Sequence, residues 1–142
     1  MIERYERVTL RRLESLAKAL AARLRPGDAV ALSGSLGAGK TALVSAMVRA
    51  LHGREHSSSP TFVFWQRYAG APPVEHLDLY RIEDPAEARE LGLHEALIAS
   101  SVTFVEWPER LPSLLDGAQR LWRIAIEGTG NRPRTVVVEA PG

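Results

Sequence analysis

Residues 34–41 read Gly34-Ser35-Leu36-Gly37-Ala38-Gly39-Lys40-Thr41, which fits the pattern G-x-x-x-x-G-K-[ST] at every fixed position. These residue types suit one task, the holding of phosphate. Glycines let consecutive backbone N–H groups turn inward as an anion nest. A helix starting directly afterwards adds its own N-terminal N–H groups and its dipole. In this pattern the lysine, Lys40, reaches the β- and γ-phosphates, and the hydroxyl of Thr41 is offered to Mg²⁺. The nucleotide-binding candidates are therefore Gly34, Ser35, Leu36, Gly37, Ala38, Gly39, Lys40 and Thr41, with Ala42 next in the chain.

Phosphoryl transfer also needs a group that holds the metal shell or orients water. Two carboxylates stand where strands should end. Asp78 lies in His76-Leu77-Asp78-Leu79-Tyr80, and Glu106 follows Val102-Thr103-Phe104-Val105. Glu106 leaves the cleaner apolar run, and ligands bind outside the carboxyl ends of such strands. Either residue, read alone, is a site carboxylate or an ordinary surface one. Thr61, after Ser57-Ser58-Ser59-Pro60, reads as a γ-phosphate sensor or as part of a polar loop. The four histidines show no ligand spacing, and His76 reads as a strand residue. Trp65, Trp107 and Trp122 read as packing residues.

The elements around the motif follow from periodicity. Leu10, Leu13, Leu16, Ala17, Leu20 and Leu24 recur at helical spacing; Thr9 can cap the start, and Pro26-Gly27 ends the run. Ala29–Ser33 is a short apolar strand. Leu43, Val44, Met47, Val48 and Leu51 form a second helical series, stopped by Gly53. The motif thus sits between a strand and a helix, as its mechanism requires. Thr61–Tyr68 and Val74–Tyr80 read as a hairpin broken at Gly70-Ala71-Pro72-Pro73. Asp84-Pro85-Ala86-Glu87 opens a helix with a cap, a first-turn proline and a glutamate. That helix runs to about Leu91-Gly92, and a short one covers Leu93–Ile98. Val102–Val105 is a buried strand, and Leu121–Ile126 and Thr135–Glu139 form a closing hairpin. The expected class is α/β: a single domain over residues 1–142, with a mixed, mostly parallel sheet flanked by helices and carrying antiparallel hairpins.

Composition sets outer bounds. The chain has 142 residues, 45% of them hydrophobic, enough for one core. A net charge of +1 gives no global field to draw in nucleic acid. With no cysteine, there is neither a disulfide framework nor a thiolate zinc site. No apolar signal core opens the chain and no stretch approaches a membrane span, so a cytoplasmic protein is expected. Only Lys18 and Lys40 are lysines among eighteen basic residues. Lys18 belongs on a solvated helix face, whereas Lys40 sits where a compact point charge matters.

Several segments together resemble the TsaE (YjeE) family. They are the Gly34–Thr41 loop, Ser59-Pro60-Thr61-Phe62, His76-Leu77-Asp78-Leu79-Tyr80-Arg81, Asp84-Pro85 to Glu90-Leu91-Gly92-Leu93, and Glu106-Trp107-Pro108-Glu109-Arg110. The loop alone is common to many families; the His-x-Asp-Leu-Tyr-Arg and Glu-Trp-Pro-Glu blocks are far more specific. The resemblance covers residues 30–112 and implies a P-loop, Mg²⁺-dependent ATPase of the cytoplasm, weak alone and dependent on partners. It implies TsaB and TsaD as those partners in tRNA threonylcarbamoyladenosine synthesis, with any tRNA contact indirect. Residue by residue, it implies Lys40 and Thr41 as phosphate and Mg²⁺ ligands, Glu106 as the acidic metal-site residue, Asp78 as an essential aspartate and Thr61 as a switch threonine. It also implies Arg132, after Gly130-Asn131, as a basic residue near the nucleotide. Ser35, Ala42 and Val63 depart from the family's Asp, Thr and Thr, and none of the three departures removes a phosphate or metal ligand.

Two other readings share the loop. A P-loop kinase of a small metabolite needs an acceptor pocket and an arginine-bearing lid, for which Arg81 and Arg89 are the candidates. A non-hydrolytic, nucleotide-dependent binding module needs no turnover. A GTPase is disfavoured because no Asn-Lys-x-Asp stretch reads guanine.

Overall fold

The computed structural model describes residues 1–56, 64–97 and 99–142. Seven strands form one sheet: β1 (Ile2–Val8), β2 (Asp28–Gly34), β3 (Trp65–Tyr68), β4 (Val74–Asp78), β5 (Val102–Glu106), β6 (Arg120–Glu127) and β7 (Arg134–Glu139). Their order is β1-β7-β6-β2-β5-β4-β3. The four central strands β6, β2, β5 and β4 run parallel; β3, β7 and β1 pair antiparallel at the flanks. This is the expected mixed α/β sheet, with hairpins at β3–β4 and β6–β7.

Alternation along the central strands feeds two cores. Val102 and Phe104 of β5, with Val30 and Leu32 of β2, pack beneath α1 (Leu10–Ala21) and α2 (Lys40–His52). Val105 and Leu77 point to the opposite face. There they meet Ala88 of α3 (Pro85–Glu90), Leu93 and Leu114 of two short 3₁₀ turns, and Leu111 just before the second of these. Side chains one residue apart on a strand face opposite ways, so a helix layer on each face is needed to bury them. Thr9 caps α1 by accepting from the Arg12 N–H, and Asp84 caps α3 by accepting from the Ala86 N–H. Both caps are those read from the sequence.

Some expectations need correction. The arginine-rich start forms β1, which pairs with β7 along the sheet edge. Its Ile-Glu-Arg-Tyr-Glu-Arg-Val run hides a strand because an edge strand buries little; only Val8 is fully buried. Helix α1 stops at Ala21 rather than continuing to Leu24. Leu10 is 80% exposed at its first turn, outside the apolar stripe that the spacing assigns it to. The short helix expected over Leu93–Ile98 is a 3₁₀ turn over Leu93–Ala96. Of the strand expected over Thr61–Tyr68, Trp65–Tyr68 is extended; residues 61–63, like Ile98, lie outside the described residues. Among the described residues no helix is long and apolar enough to cross a membrane.

Candidate functional site

The glycine loop leaves the carboxyl end of β2 and enters α2, at the centre of the parallel strands. Gly34 is irreplaceable on contact grounds: a Cβ there would lie 2.5 Å from the Ile126 carbonyl of β6, and its φ is +151°. Gly39 precedes α2 in the left-handed region with φ +111° and no side-chain cap, so the first N–H groups of α2 open onto the loop. Arg134 of β7 braces the loop from outside. Its Nε donates to the Ala38 carbonyl at 2.8 Å and its Nη2 to the Gly37 carbonyl at 3.3 Å.

Lys40 is buried at 5% exposure. Its Nζ donates to the Gly34 carbonyl at 2.7 Å and the Ser35 carbonyl at 2.9 Å. The same Nζ lies 4.2 Å from the centre of the Trp107 ring. Burial pulls the Lys40 ammonium below the usual lysine range, and the carboxylates of Glu106, Glu109 and Asp78 oppose that shift. Trp107 holds a left-handed backbone with φ 59°, a conformation that costs a non-glycine residue about 1–3 kcal/mol and clusters at functional sites. Its ring also meets that of Tyr80, with ring centres 4.9 Å apart.

The acidic side of the site comes from strands β4 and β5. Their parallel register places Asp78 opposite Glu106 at the two strand ends. Glu106 is 2% exposed. Its Oε1 accepts from the Thr41 hydroxyl at 2.8 Å, and its Oε2 lies 2.6 Å from the His76 Nε2. The two carboxylate oxygens therefore have separate duties: one faces the loop hydroxyl and the other is held by a buried imidazole. Asp78 is half-buried and its Oδ1 accepts from the Tyr80 N–H at 3.1 Å. Burial pushes its carboxyl above the ordinary aspartate value; the Tyr80 N–H opposes this, and the neighbouring Glu106 charge adds to the rise.

A cleft of about 250 Å³ opens between these groups, bounded by Leu36, Gly37, Gly39, Lys40, Thr41, Ala42, Asp78, Tyr80, Glu106 and Trp107. A second cleft of about 290 Å³ lies on the other side of the loop. Val8, Leu10, Leu13, Ala38, Gly39, Ala42, Asn131, Arg132 and Arg134 line it. Gly39 and Ala42 belong to both, so the clefts meet at the start of α2.

The structure thus brings Gly34 to Ala42, Asp78 and Glu106 together, and places Arg132 on the second cleft. Thr61 lies outside the described residues. Three contributors escaped sequence reasoning. His76, read as a strand residue, binds Glu106; the signal was its position two residues before Asp78, which puts both on one strand face. Trp107 packs against the second core, as read, and its ring also carries the Lys40 ammonium, which was not read. Arg134, and not Arg132, is the arginine that grips the loop; hairpin register decides this, and no local signal separates the two.

The chain is similar to known proteins over most of its length. Residues 8–136 match the family model described as "Threonylcarbamoyl adenosine biosynthesis protein TsaE". The tRNA threonylcarbamoyladenosine biosynthesis protein TsaE of Bacillus subtilis is 35% identical over 130 residues, 91% of this chain and 80% of that protein. The protein of the same name from Rickettsia bellii is 41% identical over 104 residues, 72% of each chain. The crystal structure of Bacillus subtilis YdiB superposes with a TM-score of 0.78 at 28% identity, covering 100% of this chain and 87% of that one.

Proposed function

The chain belongs to the TsaE family, and on that premise we propose that it is a cytoplasmic, Mg²⁺-dependent ATPase serving tRNA threonylcarbamoyladenosine biosynthesis. The observation that carries the reading is the 2.8 Å contact between the Thr41 hydroxyl and Glu106 Oε1. It puts two hard oxygen donors beside the phosphate loop, from elements 65 residues apart. Such donors suit Mg²⁺, which is held by one or two protein oxygens together with phosphates and water. When bound, the ion would supply charge neutralisation to the transferring phosphoryl group.

The chain's own residues divide the remaining work. Loop amides and Lys40 hold the phosphates. Thr41 and Glu106 hold the ion or its water shell, with His76 fixing which oxygen of Glu106 faces the site. Asp78, adjacent in register to Glu106, orients the attacking water. The apolar second cleft beside Arg132 receives the base. Thr61 is assigned the γ-phosphate contact on the resemblance. No residue in the chain announces itself as an arginine finger, so weak turnover alone and acceleration by a TsaB–TsaD pair are expected.

The test is ATP hydrolysis by the pure protein with Mg²⁺, alone and with TsaB, TsaD and tRNA. ADP and free phosphate as the products, with faster release in the presence of the pair, support the reading. A phosphorylated small metabolite in place of free phosphate would replace it with the kinase reading. Tight nucleotide binding with no turnover under either condition would replace it with the binding-module reading.

A further inference from the structure

The arginine that opens β7 is used in an unusual way. Arg134 is half-buried, and its guanidinium is spent on main-chain carbonyls from two separate loops. Nε donates to Ala38 O at 2.8 Å and Nη2 to Gly37 O at 3.3 Å, both in the glycine loop. Nη2 also donates to Gly130 O at 3.0 Å and Nη1 to Arg132 O, both in the turn between β6 and β7. A guanidinium has five donors in a rigid fork and no acceptor, so four of them tie one loop to the other. Among the described residues no carboxylate pairs with it.

Packing holds Ala38, which is buried in the core, but not the glycines on either side of it. A Cβ built on Gly37 or Gly39 would meet nothing within 4 Å, and both residues have positive φ. Glycines in open space can flip their peptide units at little cost. In a trans peptide the carbonyl and the next N–H point in opposite directions. Holding Gly37 O therefore fixes the Ala38 N–H, which donates to Ser35 O at 3.0 Å. Holding Ala38 O fixes the Gly39 N–H on the side away from Arg134.

We propose that Arg134 is a positioning residue for nucleotide binding: its fork on the Gly37 and Ala38 carbonyls holds the backbone of the glycine loop, and with it the Gly39 N–H, in its binding orientation. It does this from behind the loop, and it joins the loop to the turn that carries Arg132 and lines the second cleft. The inference rests on the nucleotide-binding reading and adds a residue outside the G-x-x-x-x-G-K-[ST] motif that decides whether the motif works.

The test compares Arg134→Lys, which keeps the charge and loses the fork, with Arg134→Gln, which loses both. Three quantities are measured: ADP affinity by calorimetry, KM and kcat for ATP, and amide exchange of residues 37–41 without nucleotide. ADP affinity should fall by about tenfold or more in both variants, the loss expected when a charge-assisted hydrogen bond is removed. KM should rise by more than kcat falls. The amides of residues 37–41 should exchange faster while those of β2 and β5 keep wild-type protection. Arg134→Lys with wild-type affinity beside a weakened Arg134→Gln would overturn the proposal, since the charge alone would then suffice. Loop amides exchanging at the wild-type rate in both variants would overturn it as well. Failure of the underlying reading looks different: wild-type protein would not bind ADP at all. The exchange measurement, made without nucleotide, would still decide whether Arg134 orders the loop.

Discussion

Replacing Glu106 separates the chemistry of the site from its stability. Glu106 is buried between two donors, Thr41 Oγ1 at 2.8 Å and His76 Nε2 at 2.6 Å. In Glu106→Gln the carbonyl oxygen can still accept from one neighbour and the amide can donate to the other, with His76 changing tautomer. The fold therefore loses the charge assistance of these bonds, about 1 kcal/mol, and keeps the contacts. In Glu106→Ala the buried His76 loses its acceptor inside the protein, at about 1–3 kcal/mol, whereas the exposed Thr41 hydroxyl can bond water instead. For a chain of this length each kcal/mol moves the midpoint by about 2–4 °C. Glu106→Gln should thus melt within about 4 °C of wild type, and Glu106→Ala roughly 2–12 °C below it. Turnover behaves otherwise. Loss of the carboxylate charge should cost Glu106→Gln about 10²–10³ in rate at fixed Mg²⁺, the usual cost of one preorganised electrostatic partner. Thermal melts and phosphate release across a Mg²⁺ titration read both quantities. An unchanged titration in a folded Glu106→Gln protein would refute the assignment and pass the metal role to Asp78.

Lys40→Ala should bring hydrolysis down by about 10²–10³ while the fold survives; wild-type turnover in the folded variant would remove the phosphate-site assignment. Asp78 links stability to pH. Its folded carboxyl is raised above the unfolded value of 3.8, so its favourable contribution is complete below that value and is lost as pH rises through the folded pKa. Asp78→Asn keeps an acceptor for the Tyr80 N–H and should melt higher than wild type at pH 7 but not at pH 3.5; an equal shift at both pH values would contradict burial as the cause. Gly34→Ala drives a Cβ to 2.5 Å from Ile126 O, whereas a Cβ at Gly37 meets nothing. Gly34→Ala should therefore abolish stable folding or nucleotide binding, and Gly37→Ala should cost only the left-handed backbone, about 1–2 kcal/mol; equal melting temperatures for the two would show the sheet contact to be unimportant.

How much of this could be read without coordinates depends on how far apart in the chain the cooperating groups lie. The loop, its lysine and its hydroxyl are neighbours, so backbone geometry alone relates Gly34, Gly39, Lys40 and Thr41 to one anion. The Thr9 and Asp84 caps are local in the same sense: a side chain satisfies an N–H two or three residues ahead. The apolar run Val102–Val105 was enough to put a carboxylate, Glu106, at a strand end. It could not say that the end lies beside Thr41, because that follows from the parallel pairing of Leu32 with Glu106 and of Asp78 with Glu106. Parallel neighbours are joined through long crossovers, and their register is set by packing on both faces of the sheet rather than by any turn. His76 acquired its partner in the same step, 30 residues away. Strand β1 was illegible for a different reason: an edge strand buries so little that its charged residues mask the alternation. The choice of Arg134 over Arg132 to brace the loop belongs wholly to tertiary structure. The two residues flank one proline and are chemically identical. Only the β6–β7 pairing, with Glu127 opposite Thr135, brings one guanidinium to carbonyls 96 and 97 residues away.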